Sequence, residues 1–268
     1  MQVDSLFLYP VKSLAGIPVN RLVLDERGPA ADRRWMIIDA DGCFVTQRER
    51  PELARVSTSL ESGQVSIGIP GFGNQPLRVS TDQRNVRVWQ DWVRALRAEP
   101  GPAQRLSEFC GQPLDLVYMP DESRRLADAR YAGAGKPIGF ADGFPFLIVN
   151  RASLDELNSR LENPVDIRRF RPNIVISGAQ AWEEDQWPGI IAGMVAFNLV
   201  KPCSRCLITT VDPDTGLRNT DLQPLRTLGS YRREPDGVMF GINAVHQGSG
   251  PVTVGDPVIV DKSRGVFE

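Results

Sequence analysis

The sequence predicts a mainly β (α+β) protein, with a β-barrel-like domain at the N-terminus followed by a second β-barrel that carries peripheral helices. Two helical patterns stand against about a dozen strand signals, turn residues punctuate the chain at short intervals, and no repeat at solenoid spacing is present. At 268 residues the chain can bury a substantial core, and it divides most naturally into two domains of ordinary size.

In the first hundred residues, Val3 to Tyr9, Arg21 to Leu24, Trp35 to Asp39, Cys43 to Gln47, Val65 to Ile69 and Val86 to Trp89 are β-rich or alternating. Asp41-Gly42, Pro70-Gly71 and Gly73-Asn74 are the turns between them. A short helix is predicted over Ala103 to Cys110, stopped by Gly111, with a strand at Leu114 to Tyr118. Asp121 to Phe146 is rich in Gly, Ala, Asp and Arg without a period and reads as a long loop, a length that usually carries function or motion. The clearest helix is Leu154 to Leu161: Ser153 and Glu156 have the spacing of a capping box, Leu154, Leu157 and Leu161 share a face, and Asn163-Pro164 ends it. Strands return at Ile174 to Ser177, Met194 to Val200, Cys206 to Val211 and Val252 to Val260.

Composition excludes several functions. Charge is almost balanced, 31 Lys and Arg against 33 Asp and Glu, so no chain-wide field attracts nucleic acid or an anionic membrane. No apolar run approaches the roughly 20 residues of a membrane helix, and the N-terminus lacks the basic start and apolar centre of a secretory signal, so a cytoplasmic protein is expected. The single histidine, His246, reads as a loop or strand-end residue, which disfavours Ser-His-Asp hydrolysis. No G-x-x-x-x-G-K-S/T loop is present, which disfavours an NTPase.

The chemistry therefore points to the thiols. Cys43 and Cys110 sit in core-like patterns, which leaves Cys203 and Cys206 in Lys201-Pro-Cys-Ser-Arg-Cys206, a segment that runs into the Asp212-Pro-Asp-Thr-Gly216 turn. A structural zinc site is short of ligands, and a thioredoxin-type dithiol would precede a helix, whereas this pair precedes a β run. The remaining reading is one thiolate used as a metal ligand or nucleophile, with Lys201 and Arg205 nearby. A soft thiolate suits a metal already held by other sulfurs, as in a molybdenum dithiolene. Two further polar clusters, Lys12-Ser13 with Asp32-Arg33-Arg34 and Phe170-Arg171-Pro-Asn173, supply donors suited to a phosphate or a pterin edge.

Tyr9-Pro-Val-Lys-Ser13, Asp32-Arg33-Arg34-Trp35, Phe170-Arg-Pro-Asn-Ile-Val175 and Pro202-Cys-Ser-Arg-Cys-Leu-Ile-Thr-Thr-Val-Asp-Pro-Asp-Thr-Gly216, taken in order, resemble the MOSC family, in the branch of the amidoxime-reducing components and their bacterial relatives. The resemblance spans almost the whole chain and implies an N-terminal MOSC-associated β domain over residues 1–115 and a MOSC domain over 116–268. It implies a molybdenum cofactor (molybdopterin) with Cys206 as metal ligand and catalytic centre. Lys12, Ser13 and Arg33 would hold the pterin and its phosphate from the first domain, joined by Arg171, Asn173, Ser204 and Arg205 from the second. Asp142, in a loop that matches a cofactor-proximal stretch, is expected to act as a proton donor near the metal. The implied reaction is two-electron reduction of N-hydroxylated substrates such as amidoximes, hydroxylamines and N-hydroxylated bases. Because no cysteine follows Cys206 to build an iron–sulfur domain, electrons are expected from a separate ferredoxin or flavin reductase. The alternative is a molybdenum-cofactor carrier or sulfur carrier without turnover, which needs Cys206 as a free nucleophile. Pyridoxal phosphate, also suggested for such domains, would need Lys12 as its Schiff-base residue, a position better explained as a phosphate contact.

Overall fold

Alternating burial appears in the first strands: in Arg21–Asp25, Leu22 and Leu24 are buried while Arg21 and Val23 face solvent, the period of two expected of a sheet wetted on one side. The computed structural model describes residues 1–263. Among them, the largest sheet runs Val258–Val260, Gly189–Ala192, Val195–Arg205, Gly237–Gln247, Phe146–Asn150, Ile174–Ser177, Gln2–Leu8, Ile17–Val19, with Arg233–Glu234 added on Gly237–Gln247. Its parallel pair is Phe146–Asn150 with Ile174–Ser177. A parallel pair needs a crossover, and the helix Arg151–Ser159 lies on that connection.

The first strand of the chain thus pairs with a strand of the second half, Leu6 opposite Ile174, and Val3, Leu6 and Leu8 share one core with Phe146, Ile148 and Phe197. The other face of this sheet buries Leu154, Leu157, Phe170 and Phe240, with Phe170 stacked on Phe240 at 3.8 Å between ring centres. Residues between about 30 and 118 form a four-stranded sheet (Trp35–Ile38, Asp115–Tyr118, Asp91–Ala98, Val79–Val88) and a three-stranded one (Ser57–Glu61, Gln64–Ile69, Gly73–Pro76), with the helix Pro100–Cys110 against them. Their own cores centre on Trp35, Ile37, Leu53, Ile67 and Leu116, and on Met36, Val86 and Phe140. No described helix is long and apolar enough to cross a membrane.

Several elements differ from the sequence expectation. The helix predicted from Leu154 begins at Arg151, and its cap is Asn150, whose side-chain oxygen accepts from the Ala152 N–H at 3.1 Å. Ser153 is buried and donates to Glu184 at 2.6 Å instead, so no capping box forms. The strand predicted over Cys206 to Val211 is a 3-10 turn, Leu207–Thr210. Thr209 and Thr210 donate their hydroxyls to the carbonyls of Cys206 and Leu207, which closes a turn that their β-branched character alone does not suggest. Cys43 to Gln47 makes only isolated bridges, Phe44 to Ile38 and Cys43 to Arg87, and Cys43 is half-buried rather than core. The run Val252 to Val260 is split into Pro251–Thr253 and Val258–Val260. Gly111 stops the helix Pro100–Cys110 in a left-handed cap, φ 65°, as expected.

Candidate functional site

The Tyr9–Ser13 segment leaves the strand Gln2–Leu8 and is stitched to the Asp32–Trp35 segment by backbone bonds. The Lys12 N–H donates to the Trp35 carbonyl at 2.8 Å, the Trp35 N–H to Pro10 at 3.1 Å and the Arg33 N–H to Tyr9 at 2.7 Å. Two sequence clusters separated by eighteen residues thus become one surface. Ser13, Arg33 and Arg171 all have left-handed backbone, φ 68°, 45° and 58°. None is Gly or Asn, and each such conformation costs ~1–3 kcal/mol, a strain that is kept where it aims a side chain. In Arg171 it ends the 3-10 turn Ile167–Phe170.

Cys206 follows the strand Val195–Arg205, whose register against Gly237–Gln247 shifts between Leu199 and Lys201 and again between Pro202 and Ser204. Such bulges accommodate Pro202 and re-aim the side chains beyond them. Cys203, Ser204, Arg205 and Cys206 all reach one cavity of about 310 Å³, which is also lined by Lys12, Ser13, Arg33, Asp142, Arg171 and Asn173. The residues that the resemblance assigns to a cofactor and metal therefore meet at one place, whereas Arg34 turns away to Met119 and Asp121.

Six cationic side chains line that cavity, Lys12, Arg33, Arg48, Arg171, Lys201 and Arg205, and Asp142 is the one carboxylate among its described lining residues, while Lys201 pairs with Asp236 behind the lining at 2.9 Å. The guanidinium groups of Arg33 and Arg171 both pack on the Tyr9 ring, 4.5 and 4.3 Å from its centre. Asp32, buried beneath them, accepts from Arg33 and from the Tyr9 N–H, and answers only part of that charge. Burial, relieved slightly by the two arginines, pushes the Tyr9 phenol up to about 12, so it stays neutral. Burial brings Arg171 down to about 10. Its Nη1 donates to the Leu14 carbonyl at 2.6 Å while its buried Nη2 has no protein acceptor. Arg205 donates from Nη2 to the Phe170 carbonyl at 2.7 Å and from Nη1 to the Cys203 sulfur at 2.9 Å, and its buried Nε is likewise unmatched. Buried donors without acceptors are costly; of the several in this protein, these two belong to side chains that line the cationic cavity.

Lys12 is buried and donates to the Phe140 carbonyl at 2.8 Å and to Asp142. Burial brings its ammonium down to about 8, with Asp142 opposing the shift. The surrounding protein acts to raise the Asp142 carboxyl, yet contact with Lys12 and the Trp89 indole N–H holds it well below the usual carboxylate range. The Asp142 side chain remains 58% accessible through the open cavity. It sits in the cavity as expected, and these contacts favour its carboxylate form, in which it accepts hydrogen bonds. Asn173 also has a different part: it is fully buried, its amide donates to the Phe7 carbonyl and Asp32, and its oxygen accepts from Arg33 at 3.1 Å and the Leu147 N–H. It braces Arg33.

Three residues escaped the sequence reading. Arg48 places Nη1 3.7 Å from the Cys206 sulfur. Trp89, with φ 57°, donates to Asp142 at 3.1 Å. Arg125 is buried and donates to the carbonyls of Gly139, Ala141 and Asp142, which fixes the loop that carries Asp142. Nothing local marks them: Arg48 stands beside Arg50, which serves a helix end, and Trp89 lies in a turn. The pair Cys203 and Cys206 comes with no protein co-ligands, since no group of three or more His, Cys, Asp or Glu side chains is gathered among the described residues.

The family model described as the MOSC domain matches residues 135–259, and the MOSC N-terminal beta barrel domain matches residues 1–113. The chain is 36% identical to mitochondrial amidoxime-reducing component 1 of Homo sapiens, covering 96% of this chain and 82% of that protein. It is 33% identical to mitochondrial amidoxime reducing component 2 of Homo sapiens and 33% to that of Bos taurus, with the same coverages. Both family models and a relative this similar along its length give one conclusion: the chain belongs to the MOSC family, with the MOSC N-terminal beta barrel domain preceding the MOSC domain.

Proposed function

We propose that the protein is a molybdenum-cofactor-dependent reductase of N-hydroxylated compounds that receives its electrons from a separate redox protein. The observation that carries this reading is a half-buried thiol, Cys206, opening with Cys203 on a cavity lined by six cations and one carboxylate, where two buried guanidinium nitrogens lack acceptors. That donor set fits a phosphorylated pterin dithiolene: the arginines match phosphate oxygens, and a metal at a single thiolate must bring its other sulfurs with it. The names of the relatives, amidoxime-reducing components, support the same chemistry.

Cys206 would ligate the metal. Lys12, Ser13, Arg33, Arg171, Ser204 and Arg205 would hold the pterin and phosphate, with Asn173 and Asp32 setting the Arg33 guanidinium. When bound, the cofactor supplies the two-electron chemistry that cleaves an N–O bond with loss of water. The carboxylate of Asp142, held beside the Lys12 ammonium, remains an acceptor for a substrate N–H.

Reconstitution with molybdenum cofactor, elemental analysis, and turnover of benzamidoxime with a chemical electron donor test the reading. One molybdenum per chain and turnover are expected of the wild type, with at least a hundredfold loss of rate in Cys206→Ala at unchanged thermal stability. A metal-loaded protein that turns over no N-hydroxylated compound rules the activity out, and a persulfide on Cys206 in metal-free protein would favour sulfur transfer.

A further inference from the structure

Of the six cavity cations the cofactor-holding set leaves two unused, Lys201, which pairs with Asp236, and Arg48, which reaches Cys206. Arg48 follows the bridged run Cys43 to Gln47, and its backbone N–H donates to the Thr46 hydroxyl at 3.2 Å. Its guanidinium lies 4.6 Å from the centre of the Trp89 indole and 5.7 Å from that of the Phe44 ring. The two rings are themselves 5.1 Å apart at 52°. Trp89 is tied in turn to Asp142 at 3.1 Å, and Asp142 to Lys12, whose ammonium sits 5.4 Å from the Phe44 ring centre. Lys12, Phe44, Arg48, Trp89 and Asp142 thus close a ring of contacts. Arg218 fastens it from outside by donating to the Arg48 carbonyl at 2.5 Å. A guanidinium drawn to two aromatic rings is restrained by them. The group it points at is the Cys206 sulfur, at 3.7 Å.

We propose that Arg48 is a positioning residue acting through Cys206: caged by Phe44 and Trp89, it donates to the sulfur and sets the reduction potential of the metal that this sulfur holds. The inference rests on the reading that Cys206 is a molybdenum ligand. A donor and a positive charge at a thiolate withdraw electron density from it. The sulfur then gives less to the metal, and the reduced state is favoured. Removing the donor therefore lowers the midpoint potential. Lysine at the same place keeps the charge but not the planar, stacked geometry, and recovers part of the shift.

The test is a redox titration of the molybdenum signal by electron paramagnetic resonance in cofactor-loaded wild type, Arg48→Met, Arg48→Lys and Trp89→Leu, each checked for molybdenum content and melting temperature. Arg48→Met is expected to lower the midpoint by about tenfold in the one-electron equilibrium, about 59 mV. Arg48→Lys should recover at least half of that, and Trp89→Leu, which keeps the charge but removes one wall of the cage, should move the midpoint the same way by less. A wild-type midpoint in a molybdenum-loaded Arg48→Met protein overturns the inference and leaves the proposed function standing. A shift that Arg48→Lys does not recover overturns it too, since the effect would then be steric. Should Arg48→Met retain no metal, Trp89→Leu decides, and an unmoved midpoint there overturns the inference. A wild-type protein without a molybdenum signal overturns both.

Discussion

Lys12 is enclosed by the Phe140 carbonyl and Asp142, with Arg125 and Arg33 as nearby like charges, and its ammonium loses its proton at about 8 against an ordinary value of 10.5. Its folded value lies below its unfolded one. Between those two values the unfolded chain binds the extra proton, so this lysine makes the protein more stable as pH rises through the window, by up to ~1.4 kcal/mol per unit. Below about 8 the buried charge costs stability and awaits an anion. Denaturant midpoints of the cofactor-free protein measured from pH 7 to 10 should therefore rise for wild type relative to Lys12→Met above about pH 8. Parallel curves would show that Lys12 is not held as described. The motif residues were legible because their chemistry is local: Lys12-Ser13, Arg33, Arg171 and the thiol segment each advertise donors in short windows. Arg48, Trp89 and Arg125 were not. A single Arg or Trp in a polar turn has no periodicity to read, and each becomes significant only when distant backbone brings it to Cys206, Asp142 or the carbonyls of residues 139–142.

At the scale of elements, the stretch Asp121 to Phe146 lacks periodicity, and the structure gives it one short helix, Ala129–Ala132, and little other regular backbone. What orders it is side-chain bonding rather than a ladder: Arg125 supplies its guanidinium to three carbonyls and pairs with Asp91. The Phe140 N–H donates to the Arg33 carbonyl at 2.7 Å, which seats the loop under the cation cluster. Gly139 permits that approach. A Cβ there would stand 2.8 Å from the Arg33 carbonyl oxygen and 3.1 Å from that of Asp32, and backbone atoms cannot yield as a flexible side chain can. Gly139→Ala is thus expected to cost ~1–3 kcal/mol of stability and, by displacing Arg33, to lower cofactor retention several-fold. Melting temperature and molybdenum content measure the two effects, and a variant equal to wild type in both would show that the loop does not press on Arg33. The misread elements share a physical cause. Ser153 has capping chemistry but spends it on buried Glu184, and the threonines after Cys206 have strand propensity but spend their hydroxyls on the turn. In both places a tertiary or local hydrogen bond outweighs a weak propensity.

At the scale of the molecule, both halves contribute to one cavity: Lys12, Ser13, Arg33 and Arg48 come from the first, Arg171, Arg205 and Cys206 from the second. Strand density and turn spacing made the mainly β class readable, because burial on one face of a sheet is written in the sequence with a period of two. Which strands pair at long range is not written that way, and nothing local says that Gln2–Leu8 lies between Ile17–Val19 and Ile174–Ser177. The consequence is mechanical: the strand that enters the core of the large sheet continues directly into Lys12 and Ser13, so the cation cluster is anchored to the same sheet that carries Cys206. Residues 116–268 expressed alone would lose that strand. The Ile174–Ser177 edge would be uncovered, Val3, Leu6 and Leu8 would leave a core shared with Phe146 and Phe197, and an unpaired apolar edge of this kind aggregates. The fragment is therefore expected to be insoluble or to melt without cooperativity. Co-expression with residues 1–115 should restore a soluble, cooperatively melting complex. A fragment that is soluble and melts sharply by itself would show that Gln2–Leu8 only decorates the sheet and does not hold Lys12 and Ser13 in register with the thiol.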